Sequence, residues 1–178
     1  MVGAVKERVA MTVFICGSTG RLGRSVTKVF EKEAKVVAPT RQELDLRSKD
    51  DIQEAIEANQ PSILINCAAW TDVDGCEKNP ELAKEINATL PQHLSELSKK
   101  VGAHLVHIST DFVFDGRTDT PYNEKQLPNP LSVYGQTKLD GEIGVGPNAT
   151  IIRTSWLQTQ DDSNMVERIL ESFKKTGP

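Results

Sequence analysis

Five short apolar runs rich in β-branched residues recur along the chain, spaced so that one helix fits between each pair. They are "TVFIC" (12–16), "KVVA" (35–38), "SILIN" (62–66), "HLVHI" (104–108) and "TIIRT" (150–154). Helical patterns fall between and after them, at about 21–33, 49–59, 80–100, 131–143 and 164–175. Strands alternating with helices of that length predict βαβ units, and a parallel pair needs such a long crossover. The expected fold class is therefore α/β: a Rossmann-type, doubly wound, mostly parallel sheet with helices on both faces.

Boundary signals agree with this division. "SKDD" (48–51) offers a serine cap with an acid three residues on, and "NP" (79–80) puts proline at a first helical position. "KKVG" and "KKTG" place lysines at the negative end of a helix, followed by a glycine terminator. Pro91 falls inside the 80–100 pattern and predicts a kink. The longest irregular stretch, "DFVFDGRTDTPYNEKQLPNP" (111–130), is long enough in a compact domain to suggest part of an active-site wall. The leading "MVGAVKERVA" is too polar for a secretory signal, so residues 1–10 are expected to be a tail, with Met11 an alternative start, and residues 11–178 one domain.

Composition narrows the function classes. With 38% hydrophobic and 26% charged residues, the chain suits a soluble globular protein. A net charge of −4 gives no electrostatic case for nucleic acid. No apolar run reaches the roughly 18 residues of a membrane helix. Cys16, Cys67 and Cys76 form no CxxC pair; the first two read as core residues and Cys76 as a surface thiol. A reducing cytoplasmic setting is expected, in which the sequons at Asn87 and Asn148 are irrelevant. No cluster of His, Cys or Asp predicts a metal. The sequence shows no exposed apolar stripe, although a homodimer is a common state for such folds.

"CGSTGRLGRSV" sets Gly17, Gly20 and Gly23 between a predicted strand and a predicted helix. Such glycines allow a tight turn and let backbone N–H groups approach a pyrophosphate. NAD binders usually carry an acid about 20 residues on, at the end of the second strand, whereas this chain has Thr40 and Arg41 there. A guanidinium suits a 2′-phosphate, and Arg21 adds charge in the turn. NADP(H) is favoured over NAD(H), while Arg41 reads equally well as a solvated surface charge.

In "NPLSVYGQTKLDGE" (129–142), Tyr134 and Lys138 stand at i and i+4 on one helix face. A phenol with pKa near 10 transfers protons poorly at neutrality, and a fixed ammonium would lower that value. Carbonyl reduction needs such a group, with hydride reaching carbon while Tyr134 protonates oxygen. The spacing alone recurs by chance in many helices, but "HLVHISTD" brings Ser109, Thr110 and Asp111 to a strand's carboxyl end, where open α/β sheets bind ligands. The Thr110 hydroxyl is a candidate for orienting the carbonyl, with a simple turn or cap role as its alternative. "INCAAW" puts the small Ala68 and Ala69 just past another strand, where a cofactor can come close.

The ordered set "GSTGRLG", "LDL", "NCAAWTDVDGCE", "STDFVFDG", "YGQTKLDGE" and "RTSW" resembles the extended short-chain dehydrogenase/reductases. Within them it is most similar to the dTDP-4-dehydrorhamnose reductase family, over about residues 12–157. That resemblance implies NAD(P)H-dependent reduction of the 4-keto group of a dTDP-linked deoxysugar, dTDP-4-dehydro-L-rhamnose to dTDP-L-rhamnose. It implies a catalytic set matching Thr110, Tyr134 and Lys138. It further implies that Gly17, Gly20, Arg21, Leu22 and Gly23 cradle the cofactor phosphates, and that Thr40 and Arg41 lie by the adenosine ribose. Asp45 and Leu46 would lie by the adenine, and Ala68, Ala69 and Trp70 along the cofactor's inner half, with Tyr134 and Lys138 also touching it. Thr110, Asp111 and Trp156 would meet the sugar nucleotide, Trp156 having a core role as its alternative. Two departures stand out. The family continues for roughly a hundred residues past the position of Pro178, forming most of the substrate site, and the acid some members use for Mg²⁺ is missing from "GRSV". The regulatory β subunit of methionine adenosyltransferase resembles the same fold, so a non-catalytic NADP-binding subunit is the rival reading.

Overall fold

The computed structural model describes residues 11–158 and 170–174. The expected tail at 1–10 lies outside them. So does most of the expected 164–175 helix, of which residues 170–174 are described and helical.

Five strands form one sheet: β1 (Thr12–Cys16), β2 (Lys35–Val37), β3 (Ile63–Asn66), β4 (His104–Thr110) and β5 (Thr150–Thr154). Their order is β2-β1-β3-β4-β5, every neighbouring pair is parallel, and the expected α/β fold is the one observed. The chain winds outward from β1 to β2, then returns across β1 to β3. Connections leaving β1 and β3 therefore diverge and open a crevice at the carboxyl edge.

Strand β1, flanked by β2 and β3, is apolar on both faces, as a doubly covered strand must be. Val13 and Ile15 pack with Val26 and Phe30 of helix α1 (Arg21–Phe30). Phe14 and Cys16 join the larger core on the opposite face, with Ile52 and Ile56 of α2 (Lys49–Asn59) and Leu94 and Leu97 of α5 (Leu90–Val101). Val145 of α6 (Val133–Val145) closes the same core.

Between β3 and α5 the chain forms a helix that the sequence reading did not mark, α3 (Val73–Lys78), and then α4 (Pro80–Lys84). Asp72 caps α3 through the Gly75 N–H at 3.1 Å. This helix buries Cys76 completely, so Cys76 is a core thiol against Tyr134 and Trp70 instead of a surface one. Cys67, expected in the core, is only part-buried beside the crevice.

The expected irregularity near Pro91 takes the form of a π-helical turn, Glu85–Thr89, joining α4 to α5. Leu90 N–H donates to the Glu85 carbonyl, an i to i−5 bond. Proline supplies no N–H at 91, and the one-residue widening precedes it. The turn presses against α6 at Gly141, where a Cβ would overlap the Asn87 carbonyl oxygen. Gly141→Ala is therefore expected to lower unfolding stability by about 2 kcal/mol or more through overpacking against backbone. Urea denaturation midpoints of the two proteins check this, with Gly102→Ala, whose Cβ meets open space at a φ of +72°, reporting backbone strain alone.

Candidate active site

The crevice between the turns after β1 and β3 is a cleft of about 430 Å³. Gly17, Gly20, Thr40, Arg41, Asp45, Leu46, Ala68, Ala69 and Trp70 all line it. Gly17 is needed twice over. Its φ is +76°, and a Cβ there would stand 2.7 Å from the Ala68 nitrogen. Arg21, Leu22 and Gly23 do not line the cleft. Gly23 is buried beneath the Gly17 carbonyl, and Arg21 reaches away to donate from Nη1 to the Leu157 carbonyl at 3.3 Å. Leu82 and Ile86 add an apolar wall that single apolar residues in a helix gave no reason to expect.

The donors along this cleft suit an anion at one end and a nucleoside at the other. Helix α1 begins at Gly20 with no side-chain cap and no acid in its first turn. By contrast, Ser48, Asp72 and Ser132 cap α2, α3 and α6. Gly20, at the amino end of α1, lines the cleft, and a diphosphate beside it would complete the helix's first N–H groups, which have no side-chain cap among the described residues. Farther along, Asp45 accepts from the Arg47 backbone and from its guanidinium at 2.9–3.1 Å. Those bonds hold the Asp45 carboxyl down at about 2, so at neutral pH it is a fixed acceptor.

Beyond the inner end of the cleft lie the three candidate catalytic residues. Thr110 is the last residue of β4, and its hydroxyl accepts from the Phe112 N–H at 3.2 Å and donates to Asp111 Oδ1 at 3.1 Å. Ser155 Oγ donates to Asp111 Oδ2 at 2.8 Å, tying this turn to the exit of β5. The next residue, Trp156, is 68% exposed with φ of +50°, so it is a surface aromatic and not a core one. Tyr134 sits in the first turn of α6, buried to 7% exposure and edge-on to Phe112 at 5.4 Å. Lys138, one turn on, is 2% exposed and donates from Nζ to the Ile108 carbonyl at 2.6 Å.

This geometry departs from the expectation that Lys138 lowers the phenol's pKa. Burial raises the Tyr134 pKa, the neighbouring Thr110 hydroxyl opposes that rise, and the Asp111 and Cys76 charges add to it. The ammonium is spent on the Ile108 carbonyl instead. Burial also pushes Lys138 down to about 8, against the charges of Glu142 and Cys67.

A supporting layer escaped the sequence reading. Glu142, one turn past Lys138 and 6% exposed, accepts from Ser109 Oγ at 2.5 Å and from Arg153 Nε and Nη2 at 2.9 and 2.6 Å. Arg153 lies over the Phe114 ring at 4.9 Å, and Phe114 stacks on Tyr122 at 4.2 Å. One carboxylate thus ties helix α6, the ends of β4 and β5 and the 111–130 loop together. Asn87, fully buried at the π turn, accepts from Trp70 N–H at 2.9 Å and donates to Trp70 O and Thr137 Oγ1. The i+4 step from Lys138 to Glu142 was a usable signal; nothing local pointed to Asn87.

The family model described as RmlD substrate binding domain matches residues 11–178. The chain belongs to the dTDP-4-dehydrorhamnose reductase family. It is 37% identical over 161 residues to the dTDP-4-dehydrorhamnose reductase of Streptomyces griseus, an overlap covering 88% of this chain and 53% of that protein. A Streptomyces antibioticus protein described as a probable dTDP-4,6-dihydroxy-2-methyloxan-3-one 4-ketoreductase is 38% identical, covering 94% and 58%. The crystal structure of the Bacillus anthracis family member, solved in complex with NADP, superposes with TM-score 0.88 at 34% identity, covering 94% of this chain and 61% of that one. The Clostridium acetobutylicum member gives 0.87 at 39%, covering 93% and 60%. The chain therefore spans little more than half the length of these curated relatives.

Behind the cleft, Asn66 links β3 to β4. Its Oδ1 accepts from the Ala68 N–H at 3.0 Å, which leaves Nδ2 to donate to His107 Nδ1 at 3.1 Å. His107 is fully buried, and its Nε2 has no partner among the described residues. Burial first, and then the Lys138 charge, push His107 down to about 3, so the folded state holds it neutral. An unfolded chain takes up that proton below about pH 6.5 while the folded chain does not. This contribution to stability is complete above 6.5 and is lost as pH falls towards 3, at up to about 1.4 kcal/mol per pH unit. Urea titrations at pH 6.5 and 5 are expected to show a loss about 2 kcal/mol larger in the parent protein than in His107→Gln.

Proposed function

We propose that residues 11–178 form the cofactor-binding part of an NADP(H)-dependent reductase acting on the 4-keto group of a dTDP-linked deoxysugar. dTDP-4-dehydro-L-rhamnose is the first substrate to test. The observation that carries this reading is the meeting of Thr110, Tyr134 and Lys138 at the carboxyl edge of β4, beside a cleft whose helix end is uncapped. Family membership supports it, as does the NADP held by the Bacillus anthracis relative.

The uncapped turns of α1 would hold the diphosphate, Asp45 and Leu46 would flank the adenine, and Ala68 to Trp70 would border the inner half. When bound, the reduced nicotinamide supplies the hydride for the keto carbon. Thr110 positions the carbonyl oxygen through its hydroxyl. Tyr134 donates the phenolic proton to that oxygen, so the ketone becomes a secondary alcohol and the residue is left as phenolate. The raised phenol pKa that burial gives Tyr134 keeps this proton in place until it is needed. The Lys138 ammonium, one turn away, then supplies the nearby positive charge that the phenolate requires. Asp111 and Trp156 border the side from which a sugar nucleotide would enter.

NADPH oxidation with this keto sugar is the test, run alongside Tyr134→Phe. Removing the phenol is expected to cut turnover about 100-fold or more while leaving NADPH affinity within about twofold. In the parent, kcat/KM is expected to fall above pH about 8 as Lys138 loses its proton. Tight NADPH binding without turnover, together with co-purification with a larger synthetase, would overturn the enzyme reading in favour of a regulatory subunit.

A further inference from the structure

Lys138 is 2% exposed, and a cation that deep needs an opposing charge to stay a cation. Its hydrogen-bond partner, the Ile108 carbonyl, brings no net charge. On α6 itself, Glu142 stands one turn further along the same helix face. From the end of β3 comes Cys67, a thiol that burial pushes up to about 11, and from β4 comes His107, an imidazole that burial pushes down to about 3. Both are therefore neutral around pH 7. Asp111, Cys76 and Glu77 act one turn earlier, on Tyr134 and the Val133 N–H. Helix α5 and the π turn bring the uncharged Ser95 and Asn87 to α6. Among the described residues, the anion acting on Lys138 at neutral pH is thus Glu142.

We propose that Glu142 is a positioning residue for the reaction: it is the fixed counter-charge that keeps an ammonium at Lys138, and Ser109 and Arg153 hold it in place. The role in the reaction rests on the reductase reading of Tyr134 and Lys138. Ser109 Oγ donates to Glu142 Oε1 at 2.5 Å, while Arg153 donates from Nε to Oε1 at 2.9 Å and from Nη2 to Oε2 at 2.6 Å. With both oxygens engaged, the carboxylate cannot turn away from its helix neighbour. The Arg153 side chain is 25% exposed against 5% for Glu142, so solvent screens the guanidinium more than the carboxylate. What reaches Lys138 from this pair is a net negative charge. The placement on β4 points the same way. Ile108 accepts from Lys138, Ser109 donates to Glu142, and Thr110 brings its hydroxyl to Tyr134. Three consecutive residues thus serve the ammonium, its counter-charge and the reacting phenol.

Glu142→Gln and Arg153→Gln separate this role from a merely structural one, because the two charges act on Lys138 with opposite signs. Lys138 is read directly by NMR, from the pH titration of its ¹³C-labelled Cε in the 178-residue chain, with Lys138→Met for assignment. The alkaline limb of kcat/KM for NADPH oxidation with the keto sugar is the second readout. Removing the anion favours the neutral amine, so in Glu142→Gln both midpoints are expected to fall by about one pH unit from the parent's value of about 8. Arg153→Gln leaves the anion unanswered and is expected to raise both by roughly half a unit. Circular dichroism checks that each variant folds; should Glu142→Gln not fold, the upward shift in Arg153→Gln carries the test. The proposal is overturned if the Lys138 midpoint in Glu142→Gln stays within about 0.2 of the parent's, or if both variants shift it in the same direction, as a loosened pocket would. Opposite shifts by NMR in a parent and variants that turn over no keto sugar would uphold the counter-charge and remove the reductase reading instead.

Discussion

Everything at the candidate site depends on how closely α6 approaches the helical run between β3 and β4. Gly141 lies so near the Asn87 carbonyl that no side chain fits between them. That approach is possible because the run widens into a π turn at Glu85–Thr89 just before Pro91. A regular helix would direct Asn87 differently and would bring no buried amide to Trp70 and Thr137. Through these contacts the position of Tyr134 and Lys138 is set by packing of backbone on backbone, which side-chain rearrangement cannot relax.

The electrostatics of the site follow from that packing. Lys138 is buried with two groups to offset the cost, the Ile108 carbonyl and the Glu142 carboxylate one turn away. Glu142 in turn is satisfied by Ser109 and by a bidentate Arg153. Removing one member would leave a charge buried without its partner, which costs more than the pair contributes. His107 stays neutral in the same neighbourhood because a second buried cation beside Lys138 would be unfavourable on both counts, burial and repulsion. The result is one ammonium at a defined place, poised near the phenol but not bonded to it.

The sheet was legible in the sequence because each strand is a short β-branched run and each crossover a helix with its own cap. Gly17, Ala68 and Thr110 were legible too, since they sit where a strand ends and the fold must open a crevice. Helix α3 was missed because "VDGCEK" has a glycine inside it and too few apolar positions to show a period; Asp72 and packing on Tyr134 hold it in place. Cys76 was misplaced for the same reason. Asn87, Asn66 and His107 were invisible because their partners lie 17 to 50 residues away. Arg41 was legible as a cation after β2 and does line the main cleft, whereas the Asp45–Arg47 pair beside it gave no signal in the sequence.

The chain divides its hydrogen-bonding capacity in a way that bears on function. Where an interaction only holds the fold, the partners are supplied internally: Ser132 caps α6, Glu142 answers Arg153, and Asn87 answers Trp70. At the amino end of α1 no side-chain cap is supplied among the described residues, although Ser18 and Thr19 precede Gly20 in the turn. Ser18 spends its hydroxyl on Pro39 instead of on the helix. A helix end left open costs stability unless something outside the chain completes it. Binding of an anion there would therefore stabilise the fold by mass action as well as serve chemistry, tightening β1, β2 and α1 around it. On this view the turn before α1 would couple anion binding to the stability of the β1–α1–β2 unit.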